Sequence, residues 1–354
     1  MSILFAILLF SLLIFVHELG HFIAAKLSGV RVNEFSMFMG PAIVQWKKGE
    51  TLYSIRCIPI GGYCAMEGED EDTDDPRSFQ KASWWKRLII LVAGSFMNLL
   101  IGVLLMVIVF LPTKERVEPV IEKFDSFATV DGEHGLQVGD RFLEIDGENI
   151  YEQSDFSMLL ALNPGDRHDI VVERDGKKVY LNDFFLEKHL TVNDAGAEEM
   201  RYGIHFRLDS DVSFGEKLGI AWSSSLNTAR MVRLSLQMLI SGKAGLSDMT
   251  GPVGIVKIMS DTASQSDGFV MALLNLLYFG AFLAINLGIM NLLPIPALDG
   301  GRIVGLLLTT SIEKITGKKL NPKIEGYIHG IGMILLLALM AIILFKDVFA
   351  IFKG

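Results

Sequence analysis

The 354-residue chain is 51% hydrophobic and has a mean hydropathy of +0.41, which argues against an ordinary soluble protein of this length. Its formal net charge of −9 argues against nucleic acid as a partner. The two cysteines, Cys57 and Cys64, provide no disulfide framework, and two free thiols are favoured over a zinc-binding pair.

Four apolar segments reach the roughly 20 residues that a helix needs to cross a bilayer. They cover about residues 3–27, 88–111, 271–293 and 328–345. The first segment lacks a basic amino-terminal region and an Ala-x-Ala cleavage site, so we interpret it as a retained membrane helix and not as a signal peptide. The pattern predicts a multi-pass α-helical membrane protein with four transmembrane helices.

Basic residues between these spans predict the orientation of the chain. Eight Lys and Arg residues lie between the first two spans, and five lie between the last two. Both loops are therefore predicted to be cytoplasmic, and the region between the second and third spans is predicted to be extracytoplasmic. An acidic run at residues 67–75 opposes this assignment on net charge, but the rule depends on Lys and Arg near the helix ends.

The loop after the first span carries strand-like sequence. Alternating and aromatic residues run over 30–53, and a second such stretch covers 53–66. Gly40-Pro41 and Gly61-Gly62 are typical of turns. Because backbone this close to a bilayer needs partners for its N–H and C=O groups, we expect a small membrane-associated hairpin or sheet packed against the helices.

Residues 113–208, between the second and third spans, have the composition of a globular domain. Strands are predicted at DRFLEIDG, DIVVERDG and KKVYLNDF, and a short helix is predicted over 154–162. The run GLQVGDRFLEIDGENI, with a tight turn at Asp146-Gly147, resembles a PDZ domain. That resemblance implies that extended peptide ends bind at the edge of a sheet.

A helical pattern follows over residues 214–240. Apolar residues recur at helical spacing, and charged residues lie mostly on another face. The pattern predicts an amphipathic helix, which lies either on the outer membrane surface or against the globular domain.

The run HELGH at residues 17–21 carries the chemistry. On a helix, His17 and His21 share one face, so both imidazoles can meet one zinc ion. Zinc lowers the pKa of a water that it binds to near 7, and Glu18 can act on that water as a general base. An ionisable group inside an apolar span costs about 2.5–3.5 kcal/mol, so the run favours a zinc peptidase site over residues solvated at the membrane edge.

A catalytic zinc site takes three protein ligands and keeps a fourth position open. The metzincin pattern fails, because Ala24 and Leu27 occupy its Gly and His positions. Asp299 is the best candidate for the third ligand, with Glu34 and His329 as alternatives, although Asp299 could also be a helix cap.

Asp299 belongs to the run NLLPIPALDGGR, directly after the third span. Pro294 and Pro296 must interrupt a regular helix there. Gly300 and Gly301 allow the backbone to come close to a neighbour. A carboxylate in this segment could therefore complete a His-His-Asp site.

HELGH, the PDZ-like insert, TGPVGI at 250–255 and the N-x-x-P-x-P-x-x-D-G pattern at 291–300 together resemble the site-2 protease family. Within it, the chain is similar to the bacterial regulators of sigma E protease that have a single PDZ domain. The resemblance covers nearly the whole chain. It implies that zinc binds His17, His21 and Asp299, that Glu18 is the base, and that the substrate strand is held near the metal by Asn291, Pro294 and Pro296.

One position departs from the family. The loop after the first span usually reads Gly-Phe-Gly-Pro, and here Phe38 occupies the position of the first glycine. This departure leaves the zinc ligands intact and bears on substrate entry.

The resemblance implies an intramembrane zinc endopeptidase of the bacterial cytoplasmic (inner) membrane. Its substrates would be single-pass membrane proteins such as anti-sigma factors, or remnant signal peptides, with an extracytoplasmic PDZ domain regulating access. The alternative is a membrane PDZ adaptor with a structural or inactive zinc site. A metal transporter would need polar or acidic residues along several spans, and here the second and third spans offer only asparagines.

The predicted organisation divides the chain into nine segments. They are the first span with HELGH (1–28), the β-rich loop (29–87), the second span (88–112), the PDZ domain (113–208), the amphipathic helical region (209–268), the third span (269–296), the LDG motif with its cytoplasmic loop (297–326), the fourth span (327–347) and the tail (348–354).

Overall fold

The computed structural model describes residues 2–69, 73–126, 135–192, 198–243, 245, 251–264, 266, 268–316 and 322–353. The helices are α1 (Ser2–Ser28), α2 (Trp84–Phe110), α3 (Gln153–Leu162), α4 (Phe214–Ile240), α5 (Pro252–Ser264), α6 (Phe269–Asn291), α7 (Asp299–Thr316) and α8 (Pro322–Lys353). The strands are β1 (Val32–Lys48), β2 (Thr51–Met66), β3 (Arg116–Phe124), β4 (Arg141–Ile145), β5 (Glu148–Asn149), β6 (Arg167–Arg174), β7 (Lys177–Phe185), β8 (His189–Val192), β9 (Glu198–Arg201) and β10 (Ile204–Asp209). Two units result: the first unit is residues 1–109 and 228–354, and the second unit is residues 110–227.

Four helical segments of the described residues are long and apolar enough to cross a membrane. They are Ile7–Ser28, Trp84–Phe110, Phe269–Asn291 and Gly330–Asp347. They coincide with the four predicted spans apart from their ends, so the prediction of four apolar membrane helices is confirmed. The loop predicted over 297–326 contains a helix, α7, whose first residue is Asp299.

Small residues let these helices pack closely. A Cβ atom on Gly20 of α1 would lie 2.3 Å from the carbonyl oxygen of Ala93 in α2. A Cβ atom on Gly288 of α6 would lie 2.8 Å from Cγ of Leu99 in α2. Helices in a bilayer associate largely through such close contacts, and α2 contacts α1 and α6 in this way.

The strands β1 and β2 form a two-stranded antiparallel sheet with several bulges. Residues 34–37 of β1 have partners in both 52–55 and 62–65 of β2, so the sheet folds over itself. Phe35 of β1 packs against Phe22 of α1, with the ring centroids 4.8 Å apart. Because residues 34–37 lie between the two segments of β2, the carboxyl-terminal segment 62–65 lies at an outer edge of the folded sheet.

The predicted turns at Gly40-Pro41 and Gly61-Gly62 lie where the folded sheet changes direction. Residues 44–47 run opposite to 52–55, whereas 34–37 run in the same direction as 52–55, so β1 reverses between residues 37 and 44 and β2 reverses between residues 55 and 62. Gly40 and Gly61 lie inside β1 and β2, where they have φ angles of +84° and +78°. The chain reverses between the two strands at Gly49 and Glu50. Glycines with positive φ inside strands are typical of bulges, which bend a strand without ending it.

The second unit is built around a sheet with the strand order β10-β3-β4-β6-β7, and β5 pairs with β4. The three predicted strands correspond to β4, β6 and β7, and the predicted short helix corresponds to α3, so these predictions are confirmed. Phe142 and Phe156 pack in the core with ring centroids 5.0 Å apart. The buried Asp140, directly before β4, pairs with Arg174 at 2.7 Å.

The helix α4 matches the predicted amphipathic helix. In the second unit, Asn227 donates a hydrogen bond of 2.6 Å to Asp155 of α3, and Ser224 bonds to Glu152. The apolar side chains Phe214 and Trp222 are 64% and 57% exposed. The first half of α4 therefore packs through polar groups and leaves an apolar stripe uncovered.

The backbone of Phe38 generates a testable prediction. Its φ angle is +70°, in a region that costs a residue with a Cβ atom about 1–2 kcal/mol. Phe38→Gly and Phe38→Ala both lose the ring, but only glycine tolerates this conformation. We expect the glycine variant to be more stable than the alanine variant by about 1 kcal/mol in thermal unfolding of the purified full-length protein. An alanine variant of equal or higher stability would contradict the strain.

Candidate metal centre

Helix α1 presents His17 and His21 on one face, one turn apart. The two rings are edge to face with centroids 4.8 Å apart, and their Nε2 atoms are 3.2 Å from each other. Both residues are buried, at 8% and 7% exposure. The HELGH run lies inside the continuous helix α1. Residues four positions apart lie on the same face of a helix, so the two imidazole nitrogens point to the same place.

Asp299 reaches the same place from the other end of the chain. Helix α6 ends at Asn291, and after seven intervening residues α7 begins with Asp299. The connecting segment is tight, because a Cβ atom on Gly300 would lie 2.2 Å from the carbonyl oxygen of Leu293. Gly300 therefore permits the close backbone approach that the sequence predicts.

The three side chains form a compact donor set. Asp299 Oδ2 lies 3.1 Å from His17 Nε2 and 3.3 Å from His21 Nε2. Among the described residues, these three form the group of His, Cys, Asp and Glu side chains that could hold a metal ion. Ligand atoms of a tetrahedral zinc ion are about 3.3–3.5 Å apart, so the separations fit zinc to within about 0.3 Å.

The environment of Asp299 also fits a cation. Its Oδ2 atom is buried and has no regular hydrogen-bond partner among the described residues. Burial raises the pKa of this carboxyl group, but the neighbouring His17 and His21 lower it more, so that the pKa lies below its ordinary value. Asp299 is therefore an ionised carboxylate at neutral pH, which is the form that binds a metal.

Helix α2 contacts both histidines from outside the donor set. His21 Nδ1 lies 2.8 Å from the carbonyl oxygen of Ile90, and a Cβ atom on Gly94 would lie 2.4 Å from His21 Nε2. His17 Nδ1 lies 3.4 Å from the Nδ2 atom of Asn98. No local pattern in the sequence predicts a role for these α2 residues, although the polar Asn98 inside an apolar span was a signal that could have pointed to one.

A cavity of about 300 Å³ opens onto the donor set. Its lining includes the three donors, Glu18 and the β2 segment Tyr63, Cys64, Ala65 and Met66, with Glu69, Leu91 and Arg302. Arg302 pairs with Glu69 at its edge. The Glu18 carboxylate thus lies beside the donors in a space that can hold water, an arrangement that suits general-base attack of water on a carbonyl group.

The remaining predicted residues lie at different distances from this centre. Asn291 Nδ2 is 3.5 Å from His17 Nδ1. Pro294 and Pro296 lie in the segment before Asp299, and neither is among the described residues that line the cavity. Glu34 instead pairs with Arg56 at 2.7 Å. The side chain of His329 lies outside the described part of the chain.

Both cysteines are free thiols. Cys57 is exposed, whereas Cys64 is buried in the cavity lining, and burial raises the pKa of the Cys64 thiol. Neither belongs to the donor set, in agreement with the expectation of two free thiols.

Comparison with known proteins places this geometry in a family. Residues 5–339 match Peptidase family M50. A protein of Clostridium acetobutylicum, named for an inferred zinc metalloprotease activity, is 37% identical over 98% of this chain and 97% of its own length. The zinc metalloprotease RasP of Bacillus licheniformis is 29% identical, and the regulator of sigma-W protease RasP of Bacillus subtilis is 27% identical, each over 98% of both chains.

The family match covers most of the chain, and the relatives align along nearly its whole length. The cofactor of this family is zinc, in agreement with the spacing of the donor set and with the cofactor predicted from the sequence. The chain belongs to Peptidase family M50, the site-2 protease family, and is a zinc metalloprotease with four apolar membrane helices.

Proposed function

We propose that this enzyme is an intramembrane endopeptidase that hydrolyses peptide bonds within the membrane-spanning segments of single-pass proteins. The observation that carries the proposal is the position of the donor set. Two of its three members belong to α1, whose segment Ile7–Ser28 is long and apolar enough to cross a membrane. Ionisable groups in such a helix cost free energy, so a metal centre there is expected in a peptidase whose substrates also lie in the membrane.

In this proposal His17, His21 and Asp299 hold the zinc ion, as the fit of their separations supports. The bound ion supplies Lewis acidity that activates water and polarises the scissile carbonyl group. Glu18 accepts the proton of the attacking water, since its carboxylate shares the cavity with the donors. Three protein ligands leave a position open for the reacting groups, and this favours a catalytic site over the structural site of an adaptor.

The substrate is proposed to bind as an extended strand. A helix must open locally before its hydrogen-bonded backbone can be hydrolysed. The β2 segment that lines the cavity lies at an outer edge of the folded sheet, so it can offer backbone groups to an opened substrate. In the proposal Asn291 binds a substrate backbone group, and Pro294 and Pro296 shape the segment that holds the strand near the metal.

We propose that the enzyme resides in the bacterial cytoplasmic membrane with the loops 29–87 and 297–326 on the cytoplasmic side, following the distribution of Lys and Arg. The exposed hairpin residues Ile43, Val44 and Trp46 support contact of β1 with the bilayer. Anti-sigma factors and remnant signal peptides are the proposed substrates, and the name of the Bacillus subtilis relative supports the first class.

The second unit is proposed to be an extracytoplasmic PDZ domain that controls substrate access. Its edge strand β10 and helix α3 line a groove of about 410 Å³ that includes Phe156, Ser157 and Ile204. Such a groove suits an extended peptide added to the sheet edge. The apolar stripe of α4 supports contact of this helix with the outer membrane surface.

Replacing Glu18 tests the catalytic proposal. We expect Glu18→Gln to lower cleavage of a single-pass membrane substrate by at least about 10²-fold, because the general base is lost, while zinc content is retained. Cleavage assays and metal analysis on the purified protein measure both. The matched control Glu122→Gln changes an exposed carboxylate of β3 and should leave cleavage unchanged. Normal processing by the Glu18 variant would remove this residue from the chemistry.

Removing the third ligand tests the metal assignment. We expect Asp299→Asn to weaken zinc binding by more than about 100-fold, beyond the loss typical of residues that only support a ligand. Chelator competition on the purified protein gives the affinity. Glu34→Gln is the control, since Glu34 pairs with Arg56 outside the donor set, and its zinc affinity should equal that of the unmodified protein. Loss of zinc from the Glu34 variant, with retention by the Asp299 variant, would reverse the assignment.

A peptide-binding assay separates the two roles of the proposed PDZ domain. If the groove reads chain ends, the full-length protein should bind an extended apolar peptide with a free carboxyl terminus more tightly than the same peptide with an amidated terminus. Fluorescence anisotropy with both peptides provides the comparison. Absence of binding by either would favour a domain that acts only by excluding bulky substrates.

A further inference from the structure

We infer that Asn98 is a positioning residue of the metal centre, whose side-chain oxygen accepts a hydrogen bond from Nδ1–H of His17. That bond would fix the tautomer in which His17 Nε2 is free to bind the metal. The inference rests on the proposed function, because it takes His17 as a zinc ligand. Asn98 itself does not contact substrate or metal in this account.

The face of α2 toward the histidines contains Ile90, Gly94 and Asn98, spaced four residues apart. Ile90 supplies its backbone carbonyl to His21 Nδ1 at 2.8 Å. Gly94 leaves room for the imidazoles, since a Cβ atom there would lie 2.8 Å from His17 Cε1. Asn98 is the next residue along this face, and its side chain lies beside Nδ1 of His17, the atom that corresponds to the His21 Nδ1 bound by Ile90.

The hydrogen-bonding state of Asn98 points to the same conclusion. Asn98 is 1% exposed, and its Oδ1 atom is buried without a hydrogen-bond partner among the described residues. Its Nδ2 atom lies 3.4 Å from His17 Nδ1. Rotating the amide by 180° exchanges oxygen and nitrogen in the same volume, so that Oδ1 meets the N–H of His17 and the unpaired oxygen gains a donor.

A histidine that binds zinc through one nitrogen almost always donates its other N–H to an acceptor, which orients the ring. For His21 that acceptor is a backbone carbonyl, which substitution cannot remove. For His17 it is a side chain. Asn291 lies 3.5 Å from the same nitrogen, but it is partly exposed, and the proposed function assigns it to the substrate. Asn98 is buried, so its side chain can hold the His17 ring in place but cannot bind a substrate.

The test compares two replacements of Asn98 in the purified full-length protein in detergent. Asn98→Leu has a similar volume and no acceptor, and we expect its zinc affinity to fall about 10–100-fold in chelator competition. Asn98→Asp keeps an oxygen in place and should recover at least about tenfold of that loss. Asn291→Leu is the matched control: its zinc affinity should stay unchanged while KM for substrate rises. If Asn98→Leu does not fold, Asn98→Ala makes the same comparison.

Unchanged zinc affinity in the Asn98→Leu or Asn98→Ala protein would overturn the inference. Equal losses in the leucine and aspartate variants would also overturn it, because they would indicate a packing role. Weakened zinc binding in the Asn291 variant alone would assign the acceptor to Asn291. The proposed function fails separately, if the unmodified protein binds no zinc or if Glu18→Gln still cleaves substrate.

Discussion

The Asp299 carboxylate of α7 comes close to two imidazoles of the apolar helix α1, and the other features of the metal centre serve this contact. Each ionisable group in such a place costs about 2.5–3.5 kcal/mol when it stands alone, so the groups must have partners. Asp299 Oδ2 lies within 3.3 Å of both Nε2 atoms, and a divalent cation at their centre would satisfy all three. Much of the first unit keeps these atoms together: the tight segment before α7 brings the carboxylate, and α2 supports the rings.

Close helix packing and an open cavity serve this centre in different ways. Gly20 allows α1 and α2 to come close together, and the carbonyl oxygen of Ile90 in α2 reaches Nδ1 of the adjacent His21. On the other side, the β2 edge and Glu18 border a cavity, where the packing is loose enough for a substrate. In the proposed function, the rigid side fixes the metal ligands and the open side admits an unwound chain.

The sequence predicted the donor set because its members carry strong local signals. HELGH has helical spacing, and the prolines and glycines around Asp299 break a helix where the carboxylate is needed. The role of Asn98 could not be read in this way, since its partner His17 is 81 positions away and no local pattern links them. Gly40 and Gly61 marked the places where β1 and β2 change direction, but not that each strand continues through its bend, because glycines with positive φ serve bulges as well as turns. The strand positions in the second unit followed from alternation, whereas its identity as a PDZ domain stays a prediction.

X-ray absorption spectroscopy at the zinc edge is the most direct test of the His-His-Asp centre, because it reports the atoms bound to the ion. We expect nitrogen and oxygen ligands at about 2.0–2.2 Å, two of them imidazoles, and the loss or lengthening of one oxygen distance in Asp299→Asn. Cys64 lines the same cavity and is the rival donor. A sulfur ligand at about 2.3 Å, or a spectrum that Asp299→Asn leaves unchanged, would contradict the His-His-Asp centre.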